Sequence, residues 1–130
     1  MAKRFTCTEK WKKRYLKDLP TEYKLLWLYI LDDCDHAGIW HVDIEVAEIR
    51  LGIKLKESEA FKYFGDKVQA FDNGEKWFIP SFIDFQYGHL NPAVNTHKSV
   101  ISILNKYKLR VSEQLVNCSA TLLDKDKDKD

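Results

Sequence analysis

Asp32, Asp33, Cys34, Asp35 and His36 place three carboxylates, a thiol and an imidazole in five consecutive positions. A divalent metal would need several of these groups to converge on one point, with zinc drawing on the thiol and the imidazole. On consecutive positions at a helix end they fan around the axis instead, and no second cluster in the chain has zinc or two-metal spacing. The stretch reads as a polar helix end that opens a turn, although carboxylates there oppose the helix dipole. Nucleophilic catalysis leaves no linear trace either: there is no glycine-rich phosphate loop, nucleophile elbow or HExxH string. His41, His89 and His97 read as structural hydrogen bonders. The expectation is a non-enzymatic chain with no cofactor and no metal.

The other side chains with chemical reach are cations. Lys54, Lys56, Lys62 and Lys67 lie on or beside one short predicted helix, with Tyr63 between them, and Asn73 and Lys76 belong to a predicted hairpin. Lysines spaced this way can meet phosphates, and an asparagine at a turn can reach a base edge. Glu57, Glu59 and Asp66 interrupt the patch. A second group, Lys12, Lys13 and Arg14, with Lys3, Arg4 and Lys10 upstream, forms a basic arm that can follow a nucleic-acid groove. Trp11 and Tyr15, four residues apart, equally suit a short amphipathic helix docked on the rest of the chain.

Bulk charge does not choose between these readings, because 21 Lys and Arg against 20 Asp and Glu leave a net charge of +1 over 130 residues. Its distribution is uneven. Residues 1 to 19 carry seven basic and two acidic residues, whereas residues 20 to 53 carry two basic and seven acidic. A basic arm beside acidic helices can bind a phosphate backbone, its own acidic surface or a partner subunit. Cys7, Cys34 and Cys118 are odd in number and far apart, which fits a reducing cytoplasm better than a disulfide scaffold. The longest apolar run, Leu25 to Leu31, is seven residues, against roughly 20 for a bilayer span, so no membrane partner is expected.

The elements that must position these cations follow from periodicity and punctuation. Tyr23, Leu26, Trp27, Ile30 and Cys34 recur at helical spacing and predict a helix over 20–34, its wide apolar arc suited either to wrapping by other elements on several sides or to a homo-oligomer contact. Ile39 to Val42 reads as a short strand, Asp43 caps a helix over 43–51 that Gly52 ends, and a further helix covers 56–64. Val68 to Phe71 and Lys76 to Phe82 form a hairpin turning at Asp72 to Gly74, where Asn73-Gly74 is a strong signal for a two-residue turn at positive φ, with Pro80 at a strand edge. The aromatic segment after it reads as a packed crossover, and Asn95 or Thr96 caps a helix over 95–107. The order of a long helix, strand, two short helices and hairpin is that of a winged helix-turn-helix. The predicted fold class is therefore α+β, a winged helix-turn-helix with an additional C-terminal helix. Its boundaries are a basic arm at 1–19, the winged-helix domain at 20–107, an extension at 108–123 and a charged tail at 124–130.

Several strings carry a family likeness. LLWLYILDDCDHAGIWHVD, then YFGDKV, then KWFIPSFIDFQYGHLNP and HKSVISIL resemble phage and prophage proteins akin to the N-terminal winged-helix domain of phage replication initiators and replisome organisers. The likeness covers Leu16 to Tyr107. It implies a cytoplasmic origin-binding or regulatory module with double-stranded DNA as partner and a replication protein as a second one. The alternative is a protein-interaction or dimerisation module on the same scaffold.

Overall fold

The computed structural model describes residues 3 to 109; the expected tail, all of the expected extension past Leu109, and Cys118 lie outside the described residues. Helices α1 (Arg14–Asp18), α2 (Thr21–Asp33), α3 (Ile44–Leu51), α4 (Glu57–Phe64), α5 (Pro80–Tyr87) and α6 (Asn95–Tyr107) accompany strands β1 (Ile39–His41), β2 (Gln69–Phe71) and β3 (Lys76–Phe78). Single 3-10 turns occupy Lys10–Lys12 and Gly65–Lys67. The fold is α+β with one antiparallel three-stranded sheet in the order β1-β3-β2. Four predicted helices, at 20–34, 43–51, 56–64 and 95–107, are present with ends within one residue of those bounds.

The described residues divide into two compact units, one formed by residues 3–35 with Ile39–Phe78, the other by His36–Gly38 with residues 79–109. The first holds the sheet and α1 to α4. Opposite Trp77 on β3 stand Trp40 on β1 and Ala70 on β2. Rings continue the packing: Trp40 lies 5.3 Å from Trp77, Trp77 6.2 Å from Phe64, Phe64 5.1 Å from Trp27, and Trp27 5.1 Å from Tyr15. Each such pair adds about 0.5–1.5 kcal/mol beyond the area it buries. One aromatic spine therefore ties α1, α2, α4 and the sheet together. Of the apolar run in α2, Leu26, Trp27 and Ile30 are buried by this packing while Leu25 stays exposed.

In the second unit, Ile79, Phe82, Ile83, Leu90, Val100 and Leu104 are buried. Tyr87 Oη donates to the His36 carbonyl at 2.5 Å, and His36 Nε2 lies 2.7 Å from Ser99 Oγ. The Asn91 N–H donates to His97 Nδ1 at 2.8 Å. Gly38 sits at φ +77° with Ile79 N–H donating to its carbonyl, and a Cβ there would lie 3.1 Å from both the Ile79 oxygen and Phe82 Cδ1. Only glycine suits that position.

Three local expectations are corrected. The strand expected to run to Phe82 stops at Phe78, and the segment expected as a crossover is α5. Pro80 occupies the first helical turn, where its missing N–H costs nothing and its φ is already helical, while Ile79 before it is extended as a pre-proline residue prefers. The hairpin loop is four residues long, since Phe71 pairs with Lys76, and Asp72, Asn73 and Gly74 all have positive φ. Asp72 tolerates the left-handed region as asparagine does, so the turn begins at Asp72 as expected, and only the loop is longer than the two residues that Asn73-Gly74 signals. At α6, Val94 rather than Asn95 or Thr96 holds the cap position, with no side-chain cap bond.

Candidate nucleic-acid interface

The cations nearest α4 depend on how the connection from α3 is held. Asp43 Oδ1 accepts from the Val46 N–H at 3.1 Å and starts α3, and Gly52 at φ +73° ends it. The next four residues then turn back under two side chains from other parts of the unit. Glu48 Oε2 accepts from the Leu55 N–H at 2.7 Å, and Tyr23 Oη on α2 accepts from the Lys56 N–H at 3.1 Å. Both satisfy backbone donors that the turn would otherwise leave open. Tyr23 also lies 4.9 Å from Tyr63, so the same phenol fixes the start of α4 and touches its last turn. Burial raises the Tyr23 pKa above the ordinary phenol value, partly offset by its bond to Lys56. The phenol stays neutral and remains an acceptor.

Along α4, Ala60 and Phe64 face the core, while Glu57, Ser58, Glu59 and Lys62 are exposed. Glu57 and Glu59 suit the positive end of the helix dipole but repel phosphate. The usable cations therefore flank that acidic first turn: Lys54 and Lys56 before it, Lys62 in the last turn. Asn73 is exposed at the hairpin tip with φ +58°. Lys76 is different. Its ammonium pairs with Asp72 Oδ2 across the hairpin loop and its side chain is only 16% exposed, so its charge is committed to its own turn.

The N-terminal cations form a separate group. Lys12 pairs with Glu9 at 3.3 Å and Arg14 with Asp18 at 3.9 Å, both on the surface, where such pairs are worth about 0–1 kcal/mol and give way readily. Lys13 is exposed between them. Lys67 joins this group rather than α4, because its ammonium sits 5.4 Å from the centre of the Tyr15 ring. The arm is docked as the Trp11/Tyr15 spacing suggests, although by Tyr15, Leu16 and Leu19 instead of Trp11, which is exposed. Tyr23 and Glu48 were not legible as positioning residues: one reads as core periodicity, and the other bonds seven residues away across a turn.

The Asp32–His36 stretch has a structural explanation. Arg4 donates to the Leu31 and Asp32 carbonyls at 3.3 and 2.5 Å, placing a cation at the end of α2. Asp33 accepts from Trp40 Nε1 at 3.0 Å and lies 3.6 Å from Arg50, while Asp35 Oδ1 accepts from the Ile39 N–H at 3.0 Å. The carboxylates thus clamp β1 and α3 to the helix end, and Arg4 offsets their conflict with the dipole. Among the described residues, no group of three or more His, Cys, Asp or Glu side chains is placed to hold a metal ion, and no helix is long and apolar enough to cross a membrane.

A scan of protein-family models, a search of curated proteins and a search of solved structures each find nothing that matches this chain.

Proposed function

We propose that this chain is a non-catalytic, cytoplasmic DNA-binding protein of winged-helix type that acts in phage-type replication initiation or its regulation. The observation that carries the reading is the α3–α4 pair, pinned at its connector by Glu48 and Tyr23 and followed by an antiparallel hairpin in a sheet of order β1-β3-β2. That order of elements is the one in which a second helix enters a major groove and a hairpin follows the adjacent backbone. Lys54, Lys56 and Lys62 supply phosphate contacts around α4, Asn73 supplies the polar group at the hairpin tip, and Lys12, Lys13, Arg14 and Lys67 add a second basic surface. The replication role rests on the initiator-like strings alone. Fluorescence anisotropy with labelled duplex DNA at two salt concentrations tests the reading. The Lys56→Ala, Lys62→Ala double substitution should weaken binding and reduce the salt slope by about 2, one per lost phosphate contact. Equal affinities and slopes would remove α4 from the interface.

A second reading, a protein-contact or dimerisation module, is favoured by Ile49 on α3, which is 79% exposed, and by Leu25 on α2. Large aliphatic side chains left in water on adjacent helices suit a second copy of the chain or a replication protein. Sedimentation at rising concentration separates the two: a heavier species abolished by Ile49→Asp supports the contact module.

A further inference from the structure

Three of the four tryptophans are buried, at 7% exposure for Trp27 and 1% for Trp40 and Trp77, whereas Trp11 is 57% exposed. It does not hang on a loose end. The Lys10 N–H donates to the Cys7 carbonyl at 3.2 Å, the Lys12 N–H to Glu9 at 3.0 Å and the Lys13 N–H to Lys10 at 3.2 Å, while Leu16 and Leu19 are buried just downstream. Among the described residues, Trp11 takes part in no ring contact and no side-chain hydrogen bond. Its chain neighbours are cationic: Lys10, Lys12, Lys13 and Arg14, with Lys67 brought in over the Tyr15 ring. The Lys12 and Arg14 side chains are 77% and 89% exposed.

An indole held open on a hydrogen-bonded turn among cations offers a flat apolar face beside phosphate-binding charge. In a duplex the faces of the bases are covered by their neighbours, leaving backbone and groove edges, neither of which matches an indole face. An unpaired base presents a free face, and aromatic stacking with flanking cations is how single strands are held without sequence reading. A membrane surface fits less well. From Phe5 to Leu19 the chain exposes two large aromatic rings, Phe5 and Trp11, but no large aliphatic side chain, because Leu16 and Leu19 are already packed inside. Interfacial helices insert a continuous apolar face of Trp, Phe and Leu side chains, and two rings six residues apart with nothing apolar exposed between them do not form one.

We propose that Trp11 is a stacking platform for an unpaired nucleobase, with Lys12, Lys13 and Arg14 holding the adjoining phosphates, so that the N-terminal surface takes single-stranded nucleic acid. This rests on the nucleic-acid reading but uses a surface separate from Lys56 and Lys62.

Trp11 is the accessible one of four tryptophans, so its own emission reports occupancy. The full chain is titrated with a short oligothymidylate, and in parallel with a duplex of equal length and with vesicles of phosphatidylglycerol. The oligothymidylate should quench the emission and shield it from acrylamide, with the duplex giving a much smaller response. Trp11→Ala should lower affinity for the oligothymidylate on the order of tenfold with an unchanged thermal midpoint, and Trp11→Phe should retain most of the affinity because a phenyl ring still stacks. Equal binding by wild type and Trp11→Ala overturns the proposal. So does a blue shift with vesicles and no response to the oligothymidylate, which assigns the surface to lipid. If duplex binding through Lys56 and Lys62 persists while Trp11→Ala is silent, this inference alone fails. If neither nucleic acid binds, both readings fail.

Discussion

Two thiols in the described residues sit in opposite surroundings. Cys7 is half-buried in the N-terminal segment, whereas Cys34 is buried at the end of α2 with its Sγ 3.6 Å from the Leu31 carbonyl. Burial pushes the Cys34 thiol up to about 12, with Arg4 pulling partly the other way and Asp35 adding to the rise. The thiolate is the reactive form, so at neutral pH Cys34 should react with a disulfide reagent only at the rate of unfolding, while Cys7 reacts directly. The same shift has a stability consequence. The folded thiol keeps its proton to about pH 12, while the unfolded chain releases it near 9.0. Stability from this group is therefore complete below pH 9 and falls as pH rises from 9 towards 12, at up to about 1.4 kcal/mol per pH unit. Tyr15 acts in the same direction, since burial, and secondarily Asp66, hold its phenol above the usual 10.0. Thermal midpoints should fall on the alkaline side, less steeply in Cys34→Ala once its lower overall stability is subtracted. A flat alkaline profile would show that both groups are more solvated than their packing indicates. The polar stretch around Cys34 was legible as a helix end, but its partners Arg4, Trp40 and Arg50 were not, because each comes from a distant part of the chain.

Elements were readable where their own residues decide them. Helices α2, α3, α4 and α6 carry apolar residues at helical spacing with Asp43 or Gly52 marking ends, and the structure places them accordingly. Helix α5 was missed because Pro80 fits a strand edge and a first helical turn equally by local chemistry, and the downstream packing of Phe82 and Ile83 settles it. The candidate interface has the same division. Its cations were legible from type and spacing, whereas the bonds that hold α4 are contacts between elements. Tyr23→Phe removes the acceptor for the Lys56 N–H and leaves the ring in place, and should cost ~1 kcal/mol of stability. Duplex affinity should fall several-fold under conditions where the variant remains folded, because the start of α4 is then free to shift. Unchanged affinity would mean that Glu48 suffices to hold the connector. In the second unit, Gly38→Ala combines left-handed backbone with a crowded Cβ and should lower stability by more than about 1 kcal/mol in denaturant unfolding.

At the scale of the molecule, a net charge of +1 gives no long-range attraction to a polyanion, so any affinity must come from local contacts. The cations fall into two groups, one around α4 and one from Lys10 to Lys17 with Lys67, and only the second is dense in charge without acidic residues at its centre. Counterion release is governed by the number of phosphates neutralised and not by net charge, so a nearly neutral protein can still show a steep salt dependence. Replacing Lys12, Lys13 and Arg14 together by alanine should therefore do two things at once. It should reduce the slope of log affinity against log salt by about 2 for a single-stranded ligand, roughly 0.7 per lost phosphate contact, and less for a duplex held mainly by α4. The pairs to Glu9 and Asp18 do not protect these cations from that role, because surface ion pairs of this kind exchange readily for phosphate. Thermal stability should stay close to wild type, since all three side chains are exposed and the segment is held by Tyr15, Leu16 and Leu19. Filter binding or anisotropy across a salt series measures the slopes, and equal slopes for wild type and the triple variant on both ligands would show that the N-terminal charge faces the protein's own acidic surface instead of nucleic acid.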